Sequence, residues 1–297
     1  MFTGLSAFPI TPFKNEQVDL VSFDRLIGNL VDANVDSICA MGSTGLYPYL
    51  TREQLFDVAR AAVNQAGKVP VMAGVGSLRT YEVLRNIETV QKAGVSAVLL
   101  APVSYQPLNE NEVYGLYEAA SREVSVPICV YENPRVTNFT FSDALYRRLA
   151  GLPHIGAIKI PGMPFATNEG ASRLASLREI LPPSMAVGVS GDQFGAAGMA
   201  QGCDLWLSVI GGIFPKTVQT IIQYATSEQA NEALALSDSL AGLWQLFANN
   251  GGGLRVVAEA AKILGYSEGN NLPAPFLPIS DDDRDTLSAL IQQLSLA

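Results

Sequence analysis

The segment Ile155-Gly156-Ala157-Ile158-Lys159-Ile160 decides how the whole chain is interpreted. Such a short apolar run is typical of a buried strand, and this one carries a lysine near its end. Burying an ammonium without a partner costs free energy, so burial favours the uncharged amine, a nucleophile able to form a Schiff base. A second interpretation stays open, in which the flexible stem of Lys159 carries its ammonium to solvent.

Apolar runs of the same kind recur along the chain, and each is followed by a segment with helical periodicity. The predicted strands cover residues 5–8, 37–41, 69–75, 97–101, 127–131, 155–160, 185–189 and 205–209. Most of them are spaced by roughly 30 residues, which is the length of one strand–helix unit. Continuous apolar strands that alternate with amphipathic helices indicate a parallel sheet covered by helices.

Eight such units favour an α/β fold, a closed (β/α)8 TIM barrel with a C-terminal helical extension. The alternative is an open doubly wound sheet, but that fold should show a G-x-G-x-x-G turn after its first strand, and the sequence has none there. We therefore divide the chain into a catalytic barrel domain, residues 1–227, and a C-terminal helical bundle, residues 228–297. Helices of the bundle are predicted near 229–248 and 254–265 and from about residue 281.

The composition describes a globular chain whose charge excludes several classes of partner. Of its 297 residues, 48% are apolar and 16% are charged, and the formal net charge is −9. The lysines and arginines are scattered, so we expect no nucleic-acid partner and no binding to an anionic membrane. The sequence has no apolar run of membrane-spanning length and no signal-peptide pattern at its start, so a cytoplasmic protein is expected.

The cysteines and the histidine limit the possible chemistry. Cys39, Cys129 and Cys203 lie in apolar runs without a C-x-x-C spacing and are interpreted as reduced core residues. His154 is the single histidine, so a histidine-based zinc site would lack ligands. A Ser-His-Asp triad needs only one histidine and stays open. Otherwise we expect no metal and catalysis by lysine, tyrosine, carboxylate or backbone groups.

A TIM barrel places its active site at the C-terminal ends of its strands. Lys159 ends the sixth predicted strand, and Tyr131 ends the fifth, within Tyr131-Glu132-Asn133-Pro134. The phenol is therefore predicted beside the amine, at the same level of the barrel. It is interpreted either as a proton relay for the amine or as a core tyrosine with a satisfied hydroxyl.

Two glycine-containing turns follow other strands. Gly42-Ser43-Thr44-Gly45 presents two small hydroxyl residues between glycines, a turn able to hold a carboxylate or phosphate oxygen. Ser190-Gly191-Asp192-Gln193 follows the seventh strand, and we interpret Asp192 as the N-cap of the next helix.

These motifs, in this order, resemble the dihydrodipicolinate synthase / N-acetylneuraminate lyase family. The likeness covers nearly the whole chain and includes the opening segment 7–13. It implies a TIM barrel with a C-terminal helical extension, usually a homotetramer, that works without a cofactor. It also implies a lyase in which the sixth-strand lysine forms a Schiff base with pyruvate or another 2-oxo acid, and in which an aldehyde is the second substrate.

The resemblance implies a role for each motif residue. Lys159 looks like the Schiff-base former, Tyr131 like the proton shuttle, and Thr44 like a further member of the proton relay. Ser43 and Thr44 together look like the carboxylate-binding turn. Gly191 and Leu207 would line the pyruvate pocket.

The chain departs from the family pattern on the acceptor side. Leu46 stands where a glutamate is usual. We expect it to make this side of the barrel mouth, the opening at the C-terminal ends of the strands, more apolar. Val136 stands where the lysine-pathway synthases have a carboxylate-binding arginine, while Arg135 lies one position earlier and would be a displaced clamp. The loop after the fourth strand carries one tyrosine, Tyr105, where a pair is usual. We therefore expect a less polar acceptor and weak lysine-pathway synthase activity.

Two other functions are considered. The same iminium would serve a dehydratase or hydratase-aldolase that acts on a 2-oxo acid. A catalytically degenerate barrel would instead bind a 2-oxo acid as a sensor. The pairing of Lys159 with Tyr131 favours an enzyme, because a binding protein has no need of a buried amine.

Overall fold

The computed structural model describes residues 1–296 and shows a closed barrel of eight parallel strands. The barrel strands are β1 (Gly4–Ala7), β2 (Ser37–Ala40), β3 (Val71–Gly74), β4 (Ala97–Leu100), β5 (Ile128–Tyr131), β6 (Ile155–Pro161), β7 (Ala186–Ser190) and β8 (Leu205–Ser208). Strand β1 pairs with β2 on one side and with β8 on the other, so the sheet has no free edge. This confirms the predicted TIM barrel, and the open-sheet alternative is wrong.

Side chains of the strands alternate between the inside of the barrel and the surrounding helices. The outward set joins the helices in one large apolar core. The inward set is Phe8, Cys39, Met72, Ala97, Leu99, Ala101, Cys129, Tyr131, Ala157, Leu205 and Leu207. Five of these are alanine or cysteine, and such small side chains leave space in the close-packed interior for the long side chain of Lys159.

Helices cover the outside of the barrel and form the C-terminal extension. They are α1 (Leu20–Asp32), α2 (Arg52–Ala66), α3 (Thr80–Ala93), α4 (Glu110–Glu123), α5 (Pro134–Thr137), α6 (Asp143–Ala150), α7 (Glu169–Ile180), α8 (Gly195–Ala200), α9 (Pro215–Ala225), α10 (Ala230–Ser239), α11 (Ala241–Asn249), α12 (Gly253–Ile263) and α13 (Asp281–Gln293). Between residues 1 and 296, none of the helices has both the length and the apolar character needed to span a membrane.

The C-terminal extension differs from the prediction at one point. The helix expected near 229–248 is divided into α10 and α11 at Leu240. There the Ser237 carbonyl accepts hydrogen bonds from the Leu240 N–H and from the indole N–H of Trp244, so the regular helical ladder is interrupted. The boundary between barrel and bundle at residue 227 stays a prediction.

Candidate active site

Lys159 lies near the C-terminal end of β6, and the register of the sheet fixes its neighbours. Tyr131 on β5 and Gly188 on β7 are its direct partners. The three residues therefore stand side by side at one level of the barrel. Lys159 is only 4% exposed, so most of its side chain is enclosed by the barrel.

Two aromatic rings enclose the amine. Its Nζ lies 4.0 Å from the ring centroid of Phe8, which follows β1, and 4.2 Å from the ring centroid of Tyr131. Ring faces attract a cation but offer it no proton acceptor. Within residues 1–296, Nζ has neither a hydrogen-bond acceptor nor an ion-pair partner, so its lone pair is unobstructed once the proton has left.

The hydroxyl of Tyr131 joins two other polar side chains of the mouth. Its oxygen lies 3.1 Å from Ser43 Oγ, and it accepts a hydrogen bond of 2.8 Å from Nδ2 of Asn133. Because Asn133 donates, the phenol's own proton is available to Ser43 or to a ligand. The contact between Ser43 and Tyr131 therefore links the end of β5 to the turn after β2 through two hydroxyl groups.

The turn 42–45 is held tightly against the barrel. A Cβ on Gly42 would lie 2.3 Å from the ring of Phe8, and a Cβ on Gly45 would lie 2.5 Å from Cα of Met41. Both positions therefore exclude any side chain. The hydroxyl of Thr11 donates a 2.7 Å hydrogen bond to the Gly45 carbonyl and fixes the turn to the segment after β1.

Thr44 has a hydroxyl without a partner. The residue is buried, and its Oγ1 makes no hydrogen bond to any of residues 1–296. A buried hydroxyl that lacks a partner costs about 1–3 kcal/mol. A ligand oxygen held in the turn would remove that cost.

Asp192 does not cap the helix that follows it, so that prediction is wrong. Its carboxylate accepts hydrogen bonds from the indole N–H of Trp206, the hydroxyl of Ser208, and the backbone N–H groups of Val209 and Ile210. The carboxylate turns inward after the positive φ of Gly191 and ties the end of β7 to the end of β8. Burial raises the pKa of Asp192, while these hydrogen bonds and the nearby Lys159 amine offset part of that rise.

Gly191 directly after β7 and Leu207 on β8 belong to the two strands that follow β6 in the sheet. Gly191 has a φ of 87° and directly follows β7. Leu207 points into the barrel from β8, and a Cβ on Gly188 would lie 2.3 Å from its Cδ1. Because Gly188 pairs with Lys159, the structure brings Leu207 within two strands of the amine.

Arg135 and Val136 lie in α5 and both are exposed. The guanidinium of Arg135 lies against Gly252, where a Cβ would be 2.9 Å from its Nη2. The next residue, Gly253, would place a Cβ 2.9 Å from the side chain of Val209, which follows β8. Arg135 therefore lies near the start of α12, beside the segment that follows β8.

Leu46, which follows the turn 42–45, has an unusual backbone conformation. It is fully buried, and its φ is 62°, a left-handed conformation that is uncommon for a leucine. The expectation that it makes this side of the barrel mouth more apolar stays a prediction. The following residue, Tyr47, is the one that approaches the strand ends.

The remaining titratable residues of the interior take no direct part in this arrangement. Cys39 and Cys129 are free and buried inside the barrel. Burial raises the pKa of the Cys129 thiol to about 12, although the nearby Lys159 amine opposes this. The thiol therefore stays protonated near neutral pH and is a poor nucleophile. His154 is exposed just before β6, at the opposite end of the barrel.

The whole chain matches a family model. The model of the dihydrodipicolinate synthetase family covers residues 1–294. The chain belongs to this family. Its members are pyruvate-dependent Schiff-base aldolases, so the protein is a lyase of the dihydrodipicolinate synthetase family, and neither a dehydratase nor a sensor barrel is favoured.

Individual relatives match this chain over nearly its whole length and nearly their own. The 4-hydroxy-tetrahydrodipicolinate synthase of Rickettsia typhi is 27% identical over 297 residues, covering 100% of this chain and 98% of the relative. A crystal structure of dihydrodipicolinate synthase from Agrobacterium tumefaciens str. C58 has a TM-score of 0.94 at 40% identity, with 99% and 98% of the two chains covered. The chloride-inhibited dihydrodipicolinate synthase from Acinetobacter baumannii, crystallised with pyruvate, shares the fold at a TM-score of 0.89 and 24% identity, with both chains covered fully.

Sequence reasoning missed two residues of the site. Phe8 covers the amine, and Asn133 donates to the phenol. Both follow barrel strands, so the strand-end rule that singled out Lys159 and Tyr131 would have found them too. They were passed over because a phenylalanine and a lone asparagine carry no catalytic signature of their own.

Proposed function

We propose that Lys159 is the Schiff-base residue of this family member. The observation that carries the proposal is the amine of the buried residue Lys159, which lies against the rings of Phe8 and Tyr131 and has no hydrogen-bond acceptor among residues 1–296. The amine attacks C2 of pyruvate, or of another 2-oxo acid, and loss of water from the carbinolamine leaves an iminium. The iminium draws electrons from C3, so a C3 proton leaves and the resulting enamine attacks the carbon of an aldehyde.

Tyr131 is proposed as the group that moves protons during these steps. Its hydroxyl contacts Ser43 and Asn133, so it has a route for a proton and a donor that fixes its orientation. A positioned acid–base group of this kind contributes typically ~10²–10⁴-fold to a rate. Thr44, whose hydroxyl lacks a partner, is proposed as a further member of the relay.

The 2-oxo acid is proposed to bind with its carboxylate in the turn formed by Ser43 and Thr44. The buried, unpartnered hydroxyl of Thr44 supports this, because a carboxylate oxygen would accept its hydrogen bond. Gly191 and Leu207 are proposed to line the pocket on the β7 and β8 side. The A. baumannii relative was crystallised with pyruvate, which supports pyruvate as the 2-oxo acid.

The aldehyde acceptor is proposed to be less polar than the semialdehyde of the lysine pathway. That substrate carries a second carboxylate, for which a forked guanidinium is the best partner. Val136 supplies no charge, and Arg135 lies against Gly252 near the start of α12. Arg135 is the one residue of α5 that would act as a displaced carboxylate clamp.

The protein is further proposed to be a homotetramer in the cytoplasm, as the resemblance implies. Exposed apolar side chains support self-association, since they cluster in the segments after three consecutive strands. They are Tyr49 after β2, Leu78 and Tyr81 after β3, and Tyr105 after β4. Tyr105 is 86% exposed, which is unusual for a tyrosine beside an active site.

Exchange of the methyl protons of pyruvate in D2O tests the proposed reaction without knowledge of the acceptor. Formation of the enamine removes a C3 proton, and its reversal adds a deuteron, so the methyl signal in the proton spectrum decays. We expect catalysed exchange by the wild type and none above background by Lys159→Met. Lys216→Met, at an exposed lysine of α9, is the matched control and should exchange like the wild type. Exchange by Lys159→Met at the wild-type rate would refute the proposal.

A further inference from the structure

Tyr47 is a buried tyrosine that has no role in the proposed Schiff-base chemistry of Lys159. It follows Leu46, whose left-handed backbone reverses the chain after the turn 42–45, and it begins a short helical turn of residues 47–49. The tyrosine is 7% exposed. A strained backbone directly before a buried phenol points to a constraint beyond simple packing.

Two glycines make room for its ring. A Cβ on Gly74, the last residue of β3, would lie 3.1 Å from Cγ and Cδ1 of Tyr47. A Cβ on Gly76 would lie 3.0 Å from Cε2 and 3.1 Å from the hydroxyl oxygen. The ring thus lies against the end of β3. Its hydroxyl oxygen and the carbonyl oxygen of Ala101, which follows β4, both lie 3.1 Å from the position of a Cβ on Gly76.

The hydroxyl of Tyr47 is a donor without an acceptor. It makes no hydrogen bond to any of residues 1–296, whereas the hydroxyl of Tyr117, a fully buried residue, donates a 2.6 Å hydrogen bond to the Leu100 carbonyl. Burial, together with the neighbouring Tyr131 and Cys39, raises the pKa of Tyr47. The phenol therefore keeps its proton near neutral pH and can donate it to a ligand oxygen.

We propose that Tyr47 is a specificity-determining residue whose hydroxyl donates a hydrogen bond to an oxygen on C4 of the substrate. The inference rests on the proposed Schiff base at Lys159. Lys159 is on β6, and the hydroxyl of Tyr47 lies over the ends of β3 and β4, farther around the barrel wall. A substrate joined to Lys159 through C2 reaches Tyr47 only with atoms beyond C3. The C4 oxygen is the one that the aldehyde brings into the new carbon–carbon bond.

Two 2-oxo acids that differ at C4 test this proposal. The probes are 2,4-dioxopentanoate, which has a C4 oxygen and is no substrate for aldol cleavage, and 2-oxopentanoate, which lacks that oxygen. Each competes with pyruvate for trapping at Lys159 by cyanoborohydride, and intact mass measures the adduct ratio. In Tyr47→Phe, which keeps the ring, we expect the preference for the dioxo acid to fall roughly three- to tenfold, the worth of one neutral hydrogen bond. Trapping of pyruvate itself should stay within about twofold of the wild type.

Two further variants complete the experiment. Tyr117→Phe removes a buried hydroxyl that is already paired, so it should leave the preference unchanged. Gly76→Ala presses a methyl group against the hydroxyl of Tyr47 and should lower the preference by displacing that hydroxyl. This variant tests the inference if Tyr47→Phe does not fold. An unchanged preference in folded Tyr47→Phe overturns the inference about Tyr47 but leaves the proposed Schiff base at Lys159 intact. Failure of the wild type to trap pyruvate at Lys159 overturns the proposed function and the inference with it.

Discussion

At the scale of single residues, the hydroxyl of Tyr131 is the group on which proton movement is expected to depend. Tyr131→Phe keeps the ring that faces the Lys159 amine and removes only the contacts to Ser43 and Asn133. We expect turnover to fall by ~10²–10⁴-fold while pyruvate is still trapped at Lys159. Steady-state rates and intact mass on the same preparation measure both. A loss of less than threefold would mean that Thr44 or a water molecule carries the proton.

Val136 leads to a second prediction at this scale. Without a guanidinium at that position, condensation of pyruvate with aspartate semialdehyde should be weak or absent, while pyruvate-dependent proton exchange persists. Steady-state condensation and proton exchange on one preparation check this. A kcat/KM of ~10⁴ M⁻¹s⁻¹ or more for the semialdehyde would contradict the prediction. In that case Arg135→Ala should collapse the affinity for the acceptor, because Arg135 would be the displaced clamp.

The sequence predicted a site residue only where the residue type itself indicates its chemistry. Lys159 and Tyr131 stood out as polar groups at the ends of apolar strands, and the structure places them side by side. The left-handed backbone of Leu46, which precedes the buried Tyr47, was not predicted because such a conformation leaves no trace in residue identity. Asp192 was misjudged because local sequence favours a cap, whereas its four partners lie on the neighbouring strand end.

At the scale of elements, Asp192 joins the ends of β7 and β8 beneath the mouth. Burial raises the pKa of Asp192 above its ordinary 3.8, so in the folded state the carboxyl binds its proton more tightly than in the unfolded state. The contribution of this group to the free energy of unfolding is therefore largest at low pH, and it falls as the pH rises from about 3.8 through the raised pKa.

Asp192→Asn should remove this pH dependence. The difference in unfolding free energy between wild type and variant should decrease as the pH rises through that window, as measured by urea denaturation at several pH values. The carboxylate accepts hydrogen bonds from several N–H groups, and the asparagine would turn its own amide N–H₂ toward one of them. The lost hydrogen bond should cost about 1–3 kcal/mol at every pH. Asp282→Asn, at an exposed aspartate of α13, is the control. A pH-independent difference for Asp192→Asn would contradict the raised pKa.

The strands were more predictable than the bundle helices. Each barrel strand is a continuous apolar run that ends in a turn, so its position follows from residue type alone. The break between α10 and α11 depends on a hydrogen bond from the Trp244 indole to the Ser237 carbonyl, a contact that apolar periodicity does not encode.

At the scale of the whole molecule, the exposed apolar side chains after β2, β3 and β4 lead us to expect self-association. Light scattering at micromolar concentration should give the mass of a tetramer. Tyr105→Ala, which removes the most exposed of these side chains, should shift the distribution toward smaller species. Val21→Ala, at an exposed apolar residue of α1, is the control. A wild-type protein that is monomeric under these conditions would refute the tetramer.

The Schiff base at Lys159 is the central claim, and reductive trapping tests it most directly. The protein is incubated with pyruvate and borohydride, and the modified peptide is then identified by mass spectrometry. We expect one pyruvate-derived group per chain, attached to Lys159 and to no other lysine. A folded protein in which Lys159 stays unmodified while pyruvate and borohydride are present would contradict the account.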